Sequence, residues 1–254
     1  HNGEHVRGNG FVVDDFTDHA LAFIEANQQR PFFCYIPYNT PHSPMMVPDR
    51  FYAKFDGKDP AMRHRDVQRE DVMMTRAALA MCENIDWNVG RILQKLDQLE
   101  LRENTIVIYF SDNGPNSFRW NGGMKGRKGT IDEGGLRSPF FIRWPQKIQP
   151  ERTIAQISGA IDLLPTLLDL TGVSMRTNKR KPLDGRSLSP LLLTESSEWK
   201  PRSLFSIKQN QVSIRTQQYR LDATGKLYDI ESDPGQRIDI AAQHTELTAE
   251  LGML

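Results

Sequence analysis

A chain of 254 residues with 38% hydrophobic and 25% charged side chains can bury a sizeable core and is not a disordered tail. Its 32 basic side chains balance 32 acidic ones, so nothing in the charge favours nucleic acid as a partner. No stretch approaches the roughly 18 consecutive apolar residues of a membrane-spanning helix, and two cysteines, Cys34 and Cys82, make neither a disulfide framework nor a zinc site. Each lies in an apolar segment, where a small buried thiol is the expectation.

In chain order, Thr17 followed by Asp18, His19 and the spacing Leu21, Phe23, Ile24 predicts a capped helix that stops before Pro31. Phe32 to Pro37 follows as a buried strand. It ends in Asn39-Thr40-Pro41-His42-Ser43-Pro44, where two prolines fix a loop. Residues 45 to 70 read as a surface excursion. Asp71 to Leu101 carries the strongest helical pattern, an apolar stripe of Leu79, Cys82, Ile85, Val89, Ile92, Leu93, Leu96 and Leu99. It leads into a strand, Thr105 to Phe110, whose β-branched and aromatic run predicts burial on both faces. This is an α-to-β step of a layered α/β fold.

Six glycines follow Gly114 in the loop that reaches Pro139, and a strand is expected from Phe140 to Trp144. Loops of this length in a packed domain are commonly functional. Ile161 to Leu170 is a second apolar helix, beginning in earnest near Pro165. Residues 174 to 202 read as a linker. Leu204 to Ile207, Val212 to Arg215, Tyr219 to Leu221 and Lys226 to Tyr228 are short strands of a small antiparallel sheet, with a closing helix from Ala241 to Leu251. The expected domains are residues 1–199, an α/β domain, and 200–254, the sheet and helix.

Asp112 and Asn113 place a carboxylate and an amide oxygen side by side at the carboxyl end of a strand, where α/β enzymes keep their chemistry. Calcium and magnesium prefer such hard oxygens, while a tight turn uses the same residues for their backbone tolerance. His42, between prolines, suits proton transfer near neutral pH, or the capping of a backbone carbonyl. Lys125, Arg127 and Lys128 stand among glycines that permit close approach of anionic oxygens; the bland reading is a flexible, solvated basic loop. Neither a Walker loop nor a dinucleotide fingerprint is present. Trp87 and Trp144 read as packing residues. Trp120, beside Arg119, is placed to stack on a sugar ring or other flat face.

The order Pro41-His42-x-Pro44, Ser111-Asp-Asn-Gly114 and Lys128-Gly-Thr-x-x-Glu133-Gly-Gly-x-Arg137-x-Pro139, continued by Asp162-Leu-Leu-Pro-Thr-Leu-Leu-Asp-Leu170 and Leu227-Tyr-Asp229 with Asp233-Pro234, resembles the type I sulfatases of the alkaline phosphatase superfamily. The resemblance implies a mixed sheet flanked by helices with a small C-terminal antiparallel subdomain, and hydrolysis of a sulfate ester. It implies Asp112 and Asn113 as calcium ligands, and His42 and Lys128 as contacts to the sulfate and leaving oxygen. Lys125, Arg127, Arg119 and Trp120 are then candidate contacts to further groups of a sulfated carbohydrate. The family's formylglycine comes from a Cys or Ser followed by x-Pro-x-Arg, which is absent here, since Cys34 precedes Tyr-Ile-Pro37 and Cys82 precedes Glu-Asn-Ile85. Asp14-Asp15 stands in the wrong context for the family's remaining metal acids. The chain therefore resembles the C-terminal part of a sulfatase, lacking its first strands and inactive alone, with the N-terminal part of the same protein as its partner. A periplasmic or secreted location follows by resemblance. A phosphodiesterase or phosphonate hydrolase of the same superfamily, and a non-catalytic binding protein that keeps the fold, are the alternatives.

Overall fold

A computed structural model describes residues 3–175, 182–194 and 199–254. Its Cα packing forms two units, His1–Ile108 with Pro115–Asn121, and Tyr109–Gly114 with Gly122–Leu254. The predicted linker 174–202 lies partly outside the described residues. No described helix is long and apolar enough to cross a membrane.

The first unit is built on α1 (Val12–Ala26), a one-turn helix α2 (Asp49–Tyr52) and the long α3 (Val72–Gln98). Asp71 caps α3 by accepting from Met74 N at 3.0 Å, which satisfies one of the free N–H groups of a helix start. Helix α1 begins five residues earlier than its predicted cap. Thr17 is a fully buried interior residue whose hydroxyl donates to Val13 O at 2.8 Å and meets Tyr38 Oη at 2.6 Å.

The predicted stripe holds along most of α3, with Ile85 and Leu96 buried and Val89, Ile92, Leu93 and Leu99 half-buried, and departs from the buried face at Leu79 and Cys82. Leu79 is 39% exposed and Cys82 exposed, while Ala77, Ala78, Met81, Asn84, Ile85 and Asn88 face inward. The cause is polar: the amides of Asn84 and Asn88, both fully buried, donate to Asp14 Oδ1 at 2.8 Å each. Asp14 on α1 is half-buried, with its side chain 20% exposed, and these amides meet its inward oxygen where two apolar side chains would otherwise pack. Cys34 is half-buried, so neither cysteine is a core thiol.

Phe32–Pro37 forms no strand. Burial alternates along it, with Phe33 76% and Tyr35 71% exposed. Strand structure requires a hydrogen-bonded neighbour, and none is present among the described residues.

The second unit holds the end of β1 (Val107–Phe110) from Tyr109 onward, the one-turn α4 (Glu133–Leu136), β2 (Phe140–Arg143), α5 (Leu163–Thr171), α6 (Ser189–Leu193), the strands β3 (Leu204–Lys208), β4 (Gln211–Arg215), β5 (Tyr219–Leu221) and β6 (Leu227–Asp229), and α7 (Thr245–Met253). Strands β1 and β2 form a two-stranded sheet, with Tyr109 against Phe141 and Phe110 against Phe140. Phe110 is 39% exposed, so β1 is not buried on both faces.

The four C-terminal strands form the predicted antiparallel sheet in the order β3-β4-β5-β6. Side chains alternate between the faces of a strand, and here the two faces have different chemistry. Ile214, Leu221 and Leu227 point one way and pack with Leu251 of α7 and, around them, Tyr219, Ile240 and Leu247. Ser213, Arg215, Arg220 and Tyr228 point the other way.

Asp162, completely buried ahead of α5, is the unit's other polar hub. Both its oxygens accept from Arg202 Nη1, at 2.9 and 3.0 Å, and it also receives the backbone N–H groups of Gly159 and Arg186. Removing one partner of a buried pair strands the other charge, so Asp162→Ala is expected to cost about 3–5 kcal/mol. Denaturant unfolding of the variant measures this, and a loss below about 1 kcal/mol would show that Arg202 finds water instead.

Candidate active site

The site begins where β1 ends. Ser111, Asp112, Asn113 and Gly114 turn directly against α4. Gly114 N donates to Gly135 O at 3.0 Å, and Ser138 Oγ donates to Ser111 O at 2.7 Å. A Cβ on Gly114 would fall on Gly134 O, well inside van der Waals contact. The turn therefore fits only as glycine.

On its other side α4 supports the turn that carries Lys128. Thr130 N donates to Arg127 O at 2.9 Å, and Gly134 N donates to Lys125 O at 2.7 Å, closing the loop at both levels. A Cβ on Gly135 would lie 2.7 Å from Arg127 O. Gly114 and Gly135 thus let two turns, one bearing Asp112 and Asn113 and the other Lys128, pack onto one short helix.

The side chains on these turns differ in how they are committed. Among the described residues the Asp112 carboxylate, the Asn113 amide and the Lys128 ammonium make no hydrogen bond or ion pair, and Asp112 is exposed. Lys125 is engaged, 3.1 Å from Asp132 and 3.5 Å from Asp222, with its ammonium over the Tyr228 ring at 5.3 Å. Burial disfavours the Lys125 cation, but the two carboxylates outweigh it and hold its pKa above the usual lysine value. Lys125 thus serves as a counter-ion to Asp132 and Asp222, with its side chain still 36% exposed. Arg127 is exposed, as a contact residue should be.

His42, Arg119 and Trp120 belong to the first unit. His42 is exposed, and its Nδ1 lies 2.8 Å from Ser43 O. A carbonyl can only accept, so Nδ1 carries the proton and Nε2 is left as the acceptor. Arg119 donates to Ser117 Oγ at 2.8 Å, and burial lowers its pKa with the nearby Cys82 opposing. It serves its own loop more than an incoming ligand. Trp120 is 45% exposed.

Sequence reasoning gave no role to Glu133, Asp222, Arg220, Arg215 or Gln236. Glu133, 3% exposed, accepts at Oε2 from Arg220 Nη2 at 2.7 Å, Arg220 Nε at 3.1 Å and Arg215 Nε at 3.2 Å. A charged residue on one face of strands whose other face is apolar was the only available signal. Three or more His, Cys, Asp or Glu grouped as a metal site do not occur among the described residues. Asp112 and Asn113 suit a hard cation in kind, with two oxygens free of internal partners, but they make only part of a coordination sphere.

The profile of the family described as Sulfatase matches residues 4–173, more than half of the chain, and that of N-sulphoglucosamine sulphohydrolase, C-terminal, matches residues 127–252. The chain belongs to the sulfatase family. It is 31% identical over 206 residues to steryl-sulfatase of Mus musculus, covering 77% of this chain and 30% of that protein. It is 27% identical over 279 residues to N-acetylgalactosamine-6-O-sulfatase of Bacteroides thetaiotaomicron, covering 96% and 50%. This sulfatase chain thus spans half or less of the length of these curated relatives. Its fold matches that of Ps i-CgsB in complex with k-i-k-neocarrahexaose, with a TM-score of 0.83 at 24% identity over 98% of this chain and 55% of that one. The phosphonate monoester hydrolase of Silicibacter pomeroyi shares the fold too, with a TM-score of 0.70 at 19% identity over 96% and 60%.

Two expected outcomes follow from the loop's packing. Gly114→Ala must push the Asp112 turn off α4 and is expected to cost about 1–3 kcal/mol, read from denaturant unfolding. Asp222 carries a lowered pKa: burial raises it, but hydrogen bonds from Thr224 and Lys226 and the charge of Lys125 lower it further. The stability this contributes is full above the ordinary carboxylate value of about 4 and is lost as pH falls through the lowered folded value. Asp222→Asn should therefore flatten the acid limb of a stability–pH curve below about pH 4, and an unchanged limb would remove Asp222 from the account.

Proposed function

We propose that the protein containing this chain hydrolyses a sulfate ester on a sulfated carbohydrate. The observation that carries this is the pairing of two turns on α4: one presents Asp112 and Asn113, the other Lys128, and among the described residues all three side chains lack internal partners while their neighbours Lys125 and Glu133 are ion-paired. Polar side chains held in place but uncommitted are what a site for an ionic ligand needs. The family match supports the reaction class. The similarity to a relative named for N-acetylgalactosamine 6-O-sulfate supports a sugar substrate.

In this reading Asp112 and Asn113 are two oxygen ligands of a calcium ion. Such an ion neutralises charge on a sulfate oxygen. Lys128 donates a hydrogen bond to the sulfate and a proton to the departing ester oxygen. His42, with Nδ1–H donated to Ser43 O, offers Nε2 on the leaving-group side. The nucleophile, a formylglycine, and the remaining metal acids come from elsewhere in the protein, because Asp14 is committed to Asn84, Asn88 and Arg50. Arg127 and Trp120, both exposed, are the better candidates among the predicted substrate contacts, and Lys125 and Arg119, which already have internal partners, the weaker ones.

The test uses the full-length protein loaded with calcium and an aryl sulfate substrate. Lys128→Ala is expected to lower kcat by about 10²- to 10⁴-fold, and Asp112→Asn should weaken calcium binding measured by calorimetry. Wild-type turnover after either change, or faster hydrolysis of a phosphonate monoester than of any sulfate ester, would sink the reading.

A further inference from the structure

The turn that carries Lys128 is closed locally by Thr130, which bonds Arg127 through both its N–H and its hydroxyl, but its glycine-rich sequence does little to fix where that turn stands. Four of its glycines, Gly122, Gly123, Gly126 and Gly129, have positive φ, a composition that costs conformational entropy to order. What anchors it comes from the C-terminal sheet and the loop after it, from residues about 80 to 105 positions further along the chain. On the polar face of the sheet, Lys208 of β3 donates to Gly129 O. Arg220 of β5 donates through Nη1 to Ile131 O at 3.1 Å and to Ser213 Oγ at 2.7 Å, and through Nε and Nη2 to Glu133. Gln236 closes the remaining residue: its Nε2 donates to Asp132 Oδ1 at 3.1 Å, and its Oε1 accepts from Glu133 N at 3.0 Å.

Residues 131, 132 and 133 are thus each gripped in turn, and Arg220 and Gln236 are 3% and 4% exposed. Charge-assisted bonds in a water-excluded setting are the strong ones. A Lys side chain whose own ammonium is unpaired inherits its position from the backbone beneath it. Arg220 uses its Nε, Nη1 and Nη2 donors at once, which a lysine's single ammonium cannot reproduce.

We propose that Arg220 and Gln236 are positioning residues for Lys128: the polar face of the C-terminal sheet sets where the Lys128 ammonium stands relative to the departing ester oxygen. The proposal rests on the reading of Lys128 given above. It carries a kinetic signature, because proton delivery matters most when the leaving oxygen is a poor leaving group. An alkoxide leaving from a sugar needs the proton, whereas a nitrophenolate hardly does.

The test takes the full-length, calcium-loaded enzyme and compares 4-nitrophenyl sulfate with a monosaccharide 6-sulfate. Arg220→Lys keeps the buried charge but loses the fork. It is expected to lower kcat on the sugar sulfate by about 10- to 100-fold, the size that a displacement near 1 Å brings, and to change kcat on the nitrophenyl ester by less than about 3-fold, with KM little altered on both. Gln236→Leu should show the same grading more weakly, and it decides the matter if Arg220→Lys fails to fold by circular dichroism. Lys128→Ala combined with Arg220→Lys should be no slower than Lys128→Ala alone, since a group that acts through another adds nothing once that other is gone.

Equal losses on both substrates, multiplicative losses in the double variant, or wild-type rates in both Arg220→Lys and Gln236→Leu would overturn the proposal while leaving Lys128 in its role. If Lys128→Ala itself shows no leaving-group grading, the reading of Lys128 falls, and the positioning role falls with it.

Discussion

The arrangement of the second unit depends on one buried carboxylate. Glu133 stands at the first position of a four-residue helix with Arg215 and Arg220 on the same oxygen. An unpaired carboxylate at 3% exposure would be expensive, and neither arginine can be desolvated without it. Burying the three together commits the glycine-rich segment to the polar face of the sheet. Once α4 is seated there, its other surface becomes the platform for the turn after β1. The placement of Asp112 and Asn113 is therefore downstream of an ion cluster contributed by residues more than 80 positions away.

That dependence explains which parts of the molecule could be read from the chain alone. The four short strands and α3 were legible because periodicity is local: alternation over three to five residues, or an apolar stripe over 27, is a property of neighbours. The three motifs were legible as an ordered set for the same reason. Lys125 could not be sorted from Lys128 that way. The two are separated by three positions in one loop, yet only the first is ion-paired, to Asp132 nearby and to Asp222, 97 residues on.

The first unit shows the same limit in another form. The apolar stripe along α3 holds at Ile85 and Leu96 but not at Leu79 and Cys82, while Asn84 and Asn88, which the apolar count passed over, are fully buried against Asp14. Phe32–Pro37 has strand composition, yet composition supplies no partner.

The close approaches at Gly114 and Gly135 bear on how such a loop can be altered. These positions are fixed by volume, since even a methyl group there meets backbone that cannot step aside. Arg127 and Arg137, by contrast, project into solvent from the same loop. A designer retuning substrate preference therefore has a narrow menu: diversity placed at the outward cations changes what the loop greets, while diversity placed at the inward glycines unseats the platform itself.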